Sequence, residues 1–131
     1  VQYNDEDYRK VIILLTDGEN VVGSTSNHNK STYSAYGYVK DGRLGSTNSW
    51  TAQNNLDTRT STVCSNIKAA YPERPITIYT ITFQLYDTSI KTLMQNCATD
   101  SEKYFDSPSN AQLEANFEAI AGELSELRIS K

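Results

Sequence analysis

Val11-Ile-Ile-Leu-Leu15 is a run of five apolar residues without polar alternation, closed by Thr16-Asp17-Gly18. An uninterrupted apolar run of this length reads as a strand covered on both faces, the mark of a parallel sheet inside helical layers. Such a strand should lie inside a helix-covered sheet, and this expectation constrains everything that follows. Thr16, Asp17 and Gly18 then fall at the carboxyl end of a sheet strand, where open α/β sheets place their ligand sites. Asp17 is the first candidate for function, with Thr16, Gly18, Glu19 and Asn20 as its neighbours on the same loop.

The rest of the chain supplies the partners that this strand needs. Leu56, Thr60, Val63, Cys64, Ile67, Ala70 and Tyr71 recur at helical spacing, with Asp57 in the first turn and Pro72 past the end, predicting a helix from about Asn55 to Ala70. Ile76 to Phe83 is rich in β-branched and aromatic residues and predicts a second strand, with Ile76 and Ile78 on one face and Tyr79, Ile81 and Phe83 around the other. Asp87, Thr88 or Ser89 caps a short helix whose stripe is Ile90, Leu93, Met94 and Cys97. Lys103 to Asp106 reads as a short third strand. Ser109 and Gln112 form a capping-box pair before the apolar stripe Leu113, Phe117, Ile120, Ala121, Leu124 and Leu127.

Between the first strand and the first helix lies residue 19–55, a Ser-, Asn- and Tyr-rich insertion longer than the connections usual in compact domains. Its Tyr33, Tyr36 and Tyr38 suit a recognition surface, and Gly37 to Lys40 with Arg43 to Gly45 suits a hairpin around Asp41-Gly42. A variable surface insertion is the simpler reading. His28, without a second His or Cys nearby, reads as an exposed polar residue. Val1 to Arg9 is a polar, acidic and aromatic lead-in with no assigned role.

Composition excludes several classes. With 37% hydrophobic and 21% charged residues, the 131-residue chain suits one globular domain with a modest core. No apolar run approaches the ~20 residues of a membrane-spanning helix, and the amino end lacks a charged-then-apolar leader pattern. A net charge of −4 with scattered basic residues argues against nucleic acid.

Strand–helix alternation predicts an α/β fold, a three-layer Rossmann-like parallel sheet of about three strands. Successive right-handed crossovers in one direction put both crossover helices on one face. Cys64 and Cys97 then lie on the buried stripes of neighbouring helices. Either they form a disulfide, closing a loop of roughly 33 residues at a gain of about 3–4 kcal/mol, or they are two buried thiols packing as small apolar groups. The bridge is the expectation, and it implies an oxidising compartment.

Val-Ile-Ile-Leu-Leu-Thr-Asp-Gly-Glu-Asn (11–20), Leu-Asp-Thr-Arg-Thr-Ser-Thr-Val-Cys-Ser-Asn-Ile-Lys (56–68), Ile-Tyr-Thr-Ile-Thr-Phe (78–83), Leu-Met-Gln-Asn-Cys-Ala (93–98), Lys-Tyr-Phe (103–105) and the closing stretch 117–131 together resemble the carboxyl-terminal half of a von Willebrand factor A domain. More narrowly, they resemble the TadG-like proteins of the bacterial Flp (tight adherence) pilus assembly system. The resemblance implies a partial von Willebrand factor A-like sheet spanning 1–131. It implies that Asp17 is the remnant of a cation site whose Asp-x-Ser-x-Ser motif is absent from this sequence and whose Thr loop would lie upstream of Val1. One carboxylate does not hold Mg²⁺, so no cofactor is expected unless upstream ligands exist.

The resemblance also implies a fragment of a longer protein, extracytoplasmic and anchored in the inner membrane through a segment outside this chain. In the family's sheet order the missing half would neighbour Val11 to Leu15, leaving an apolar strand edge without a partner, and such edges recruit strands. The lead-in, a hairpin of Tyr38-Val39 with Arg43-Leu44, or a second copy of the chain would cover it, and a homodimer is the reading favoured here. The functional expectation is a non-enzymatic binding and assembly module that meets a protein partner, such as a pilus assembly component, through its loops. The alternative is an Asp17-dependent, metal-assisted hydrolase of the phosphatase kind. It lacks an Asp-x-Asp pair, a Ser/His/Asp set and a Gly-rich phosphate loop.

Overall fold

The structure is a computed structural model that describes residues 8–23 and 28–129, with side chains through residue 126. It is an α/β fold whose main sheet has three parallel strands, β1 (Val11–Thr16), β4 (Thr77–Phe83) and β5 (Tyr104–Ser107), in the order β1-β4-β5. A separate antiparallel ribbon pairs β2 (Tyr33–Ser34) with β3 (Gly37–Tyr38). The helices are α1 (Ser49–Ala69), α2 (Thr88–Cys97) and α3 (Asn110–Ile129).

The chain divides into two compact units, one of Val1–Gly18 with Ile67–Lys131 and the other of Glu19–Asn66. In the first, β4 is the central strand, and parallel register aligns Ile13 with Tyr79, Leu15 with Ile81 and Ile81 with Phe105. Paired residues share a face, so the alternation of β4 sorts the core into two layers. Tyr79 and Ile81 pack with Ile120, Leu113 and Leu124 of α3 on one face. On the other, Leu14 and Tyr104 pack with Leu85, Ile90, Leu93 and Met94 around α2. Thr80 and Thr82 are fully buried on the α2 face and stay there because their hydroxyls are bonded, Thr80 Oγ1 donating to Met94 O at 2.9 Å.

Local chemistry explains the boundaries. Asp87 caps α2, its carboxylate accepting from Ser89 N and Ile90 N, and Ser109 Oγ accepts from Gln112 N at the start of α3. The α3 stripe is only partly buried: Phe117 is 40% exposed and Ala121 is exposed, while the Leu127 side chain lies outside the described residues. Helix α1 starts at Ser49, six residues before the apolar periodicity, because Asn48 caps it by accepting from Thr51 N at 3.1 Å. Asp57 is therefore in the middle of α1 and not in its first turn.

The second unit has a core of its own, Val22, Val39, Leu44 and Ala52 with Leu56 against them. The hairpin expected from Gly37 to Lys40 with Arg43 to Gly45 is not formed. Instead Val39–Asp41 makes a 3-10 turn closed by Gly42 at φ 71°, whose N–H donates to Val39 O. This turn buries Val39 and Leu44 in one cluster, which a ladder through them would not do. The ribbon forms one step earlier, over the Ala35-Tyr36 turn. Tyr38-Val39 with Arg43-Leu44 is likewise no strand pair covering β1, and the lead-in, offered as another cover, lies largely outside the described residues. Cys64 of α1 and Cys97 of α2 are joined in a disulfide, with no free cysteine; both are buried.

Candidate functional site

Thr16, Asp17 and Gly18 stand at the carboxyl end of β1 as expected. Thr16 Oγ1 donates to Gly18 O at 2.8 Å and accepts from Gly18 N at 3.3 Å, a local turn that holds the loop and leaves Asp17 exposed. Glu19 and Asn20 belong to the other unit and are engaged with α1. Glu19 Oε2 accepts from Gln53 Nε2 at 3.1 Å, and Asn20 Nδ2 donates to Asp57 Oδ1 at 2.8 Å. The five residues expected as one binding loop are thus divided: Thr16, Glu19 and Asn20 make bonds that fasten their own segments, and the carboxylates of Asp17 and Glu19 are both exposed. Among the described residues no group of three or more His, Cys, Asp or Glu is placed to hold a metal ion. His28 is exposed.

The tyrosines of the insertion converge. Tyr33 and Tyr38 face each other across the ribbon, ring centroids 5.1 Å apart and edge to face. The Lys40 ammonium lies 5.4 Å from the Tyr38 ring centre, and the Arg59 guanidinium lies 4.7 Å from that of Tyr36, both within cation–π reach. Arg43 lies against the ribbon, its guanidinium 3.5 Å from where a Cβ on Gly37 would stand, an ordinary contact distance; it is the φ of 96° that favours glycine there. Arg59 in turn donates to Arg43 O at 2.9 Å. Lys40, Arg43 and Arg59 have no carboxylate within ion-pair distance among the described residues. Tyr33 is 72% exposed, and Tyr36 is exposed as well. The arrangement is an aromatic surface flanked by three cations that have no ion-pair partner among the described residues. The sequence signal was the Tyr33/Tyr36/Tyr38 spacing; the part of Arg59, sixteen residues from Arg43, was not readable from it.

A third cluster, missed in the sequence, closes the carboxyl ends of β4 and β5. Thr82 Oγ1 donates to Asp106 Oδ1 at 2.9 Å and lies 3.1 Å from Tyr104 OH, while Lys91 Nζ meets Asp106 Oδ2 at 2.7 Å. Burial pushes the Asp106 carboxyl up, but the hydrogen bonds from Lys91 and Thr82 outweigh it and hold the group below the usual Asp value. The hydrogen bond to Asp106 raises Lys91 in return. No buried side-chain nitrogen or oxygen among the described residues lacks a partner. The cluster is therefore a completed lock between sheet and α2, and its chemistry is spent on structure.

No family model, no curated protein and no solved structure matches the chain.

Proposed function

We propose that the protein is a non-enzymatic binding module that recognises a protein partner through the tyrosine ribbon of residues 33–38 and the cations beside it. The observation that carries this reading is the exposed pair Tyr33 and Tyr36 with the half-buried Tyr38, flanked by Arg59, Lys40 and Arg43. Tyrosine presents a large amphipathic contact area at low entropic cost, and Tyr-, Ser-, Asn- and Gly-rich loops are the composition of adaptable protein-binding surfaces. The Asp17 loop at the end of β1 is a separate candidate contact, on the other unit. Following the motif resemblance, the module belongs to a TadG-like protein of a bacterial pilus assembly system, with a pilus assembly component as partner. It works outside the cytoplasm on a chain anchored in the inner membrane. The Cys64–Cys97 disulfide supports an oxidising compartment. Among the described residues no helix is long and apolar enough to cross a membrane.

Site-specific photo-cross-linking in producing cells tests the reading. A cross-linker replacing Tyr33 is expected to yield a discrete protein adduct, weakened by Arg59→Ala, whereas one replacing the exposed Glu73 of the other unit yields none. Absence of an adduct from position 33, or phosphatase turnover in added Mg²⁺ that Asp17→Ala abolishes, overturns it.

A further inference from the structure

The cations beside the tyrosine ribbon all lie in one unit, residues 19–66, which places them by its own contacts. Arg43 and Arg59 bracket the turn of the ribbon. The Arg43 guanidinium lies against Gly37, and the Arg59 guanidinium lies over the ring of the preceding residue, Tyr36, at 4.7 Å. Arg59 is tied further by donating to Arg43 O at 2.9 Å. That bond takes one of its N–H groups, and the Arg43 side chain makes no hydrogen bond among the described residues. Two guanidinium groups are thus held at neighbouring backbone positions with most of their donors facing no protein acceptor. Lys40 adds an ammonium 5.4 Å from the Tyr38 ring centre, just past the strand that leads out of the turn.

The carboxylates of the unit do not answer these cations. Residues 19–66 carry Lys30, Lys40, Arg43 and Arg59 against Glu19, Asp41 and Asp57, a net charge of +1 in a chain of −4, so the remaining residues carry −5. Glu19 and Asp57 accept hydrogen bonds from Gln53 and Asn20. Asp41 stands between Lys40 and Arg43 in sequence, yet no ion pair joins it to either.

We propose, resting on the protein-binding reading above, that the ribbon takes an acidic segment of its partner, with Asp or Glu carboxylates seated on Arg43 and Arg59 and an apolar side chain beside them laid on Tyr33. Two adjacent guanidinium forks match the paired oxygens of carboxylates. A guanidinium already held over a ring or against backbone has less freedom left to lose on binding. Tyr33, 72% exposed and edge to face with Tyr38, offers the apolar contact, and tyrosine and arginine are the residues on which interface energy concentrates. Charge at longer range selects a short acidic segment over a polyanion. A nucleic acid, an acidic glycan or an anionic membrane extends well beyond the roughly 8–10 Å screening length and meets the negative field of the whole chain. A few carboxylates meet only the ribbon.

A nuclear magnetic resonance titration of the whole chain tests this with two probes, the acetylated peptide Gly-Glu-Phe-Glu-Gly and its counterpart Gly-Gln-Phe-Gln-Gly. The Glu peptide is expected to give saturable shifts confined to residues 33–43 and 59, to bind about tenfold tighter than the Gln peptide, and to weaken about tenfold from low to high salt. Arg43→Glu should weaken it about tenfold as well. Both Arg43 and Lys40 are exposed and their side chains make no hydrogen bond among the described residues, so Lys40→Glu serves as a second variant that leaves the fold intact. Equal affinity for the two peptides, no saturable shift from the Glu peptide, or native affinity in both variants overturns the proposal. Tighter binding of oligothymidylate or of phosphatidylglycerol vesicles, at equal charge concentration, overturns it too. The cross-link from position 33 separates it from the reading beneath it. An adduct whose mapped partner peptide is neutral or basic leaves protein binding standing and overturns the acidic segment. Binding of the Glu peptide without any adduct in cells keeps the preference for carboxylates and overturns the protein partner.

Discussion

Tyr79 shows how one buried polar group sets local chemistry. Its ring is in the core against Phe105, and its hydroxyl donates to Glu123 Oε2 at 2.7 Å, which also accepts from Lys103 Nζ at 2.9 Å. Burial and then the Glu123 hydrogen bond raise the Tyr79 phenol, while the bonds from Lys103 and Tyr79 hold Glu123 below its ordinary value of 4.5. Lys103 is raised above 10.5, chiefly by its bond to Glu123. A depressed carboxylate stabilises the fold above its unfolded pKa and loses that contribution as pH falls through the folded one; a raised lysine contributes below its unfolded pKa and loses it as pH rises through the folded one. The trio therefore supports the fold between about pH 5 and pH 10 and weakens on either side. Glu123 is more than a third exposed, so screening limits its worth. Glu123→Gln is expected to cost no more than about 1 kcal/mol at pH 7, and the gap from the native protein should shrink below pH 4 in denaturant titrations.

At the scale of elements, two kinds of signal decided where helices and strands begin. Ser109 and Asp87 are caps that stand next to the apolar stripes they start, and both helices begin beside them. Asn48 is also a cap, but it stands among Ser, Thr and Asn residues with no apolar stripe behind it, so α1 reads as starting near Asn55 when it starts at Ser49. Asn48→Ala is expected to cost about 1 kcal/mol, read as a shift of the denaturant midpoint with an unchanged slope. The β2–β3 ribbon is the opposite case. Asp41-Gly42 is a strong local turn signal, yet the burial of Val39 and Leu44 together made it the end of a 3-10 turn.

Across the whole molecule the disulfide is the long-range tie. It joins α1 to α2 over 33 residues of chain, from Cys64 to Cys97, and on the chain-entropy account it stabilises by about 3–4 kcal/mol. Protein denatured without reductant is expected to take up no alkylating reagent, and after reduction to take up two equivalents by intact mass. Reduction should lower the unfolding midpoint accordingly; two thiols alkylated without reductant would remove the bridge from the native state.

The sequence alone pointed to the fold class, because the order of strand and helix patterns around Val11 to Leu15 leaves a parallel α/β arrangement; the expected cover on both faces of that strand is not seen among the described residues, where Ile12, Ile13 and Leu15 are exposed. It determined the place of Asp17 at a strand end for the same reason, and it singled out the three tyrosines. Tertiary structure alone decided what those residues do. Whether a side chain is an anchor or an exposed group depends on partners far along the chain: Gln53 and Asp57 take Glu19 and Asn20 out of the Asp17 loop, and Arg59 reaches Tyr36 across more than twenty residues. The Thr82–Asp106–Lys91 lock comes from three separate elements brought together by register. Periodicity reports which face of an element is apolar, and it carries no information about which polar group from elsewhere will meet it.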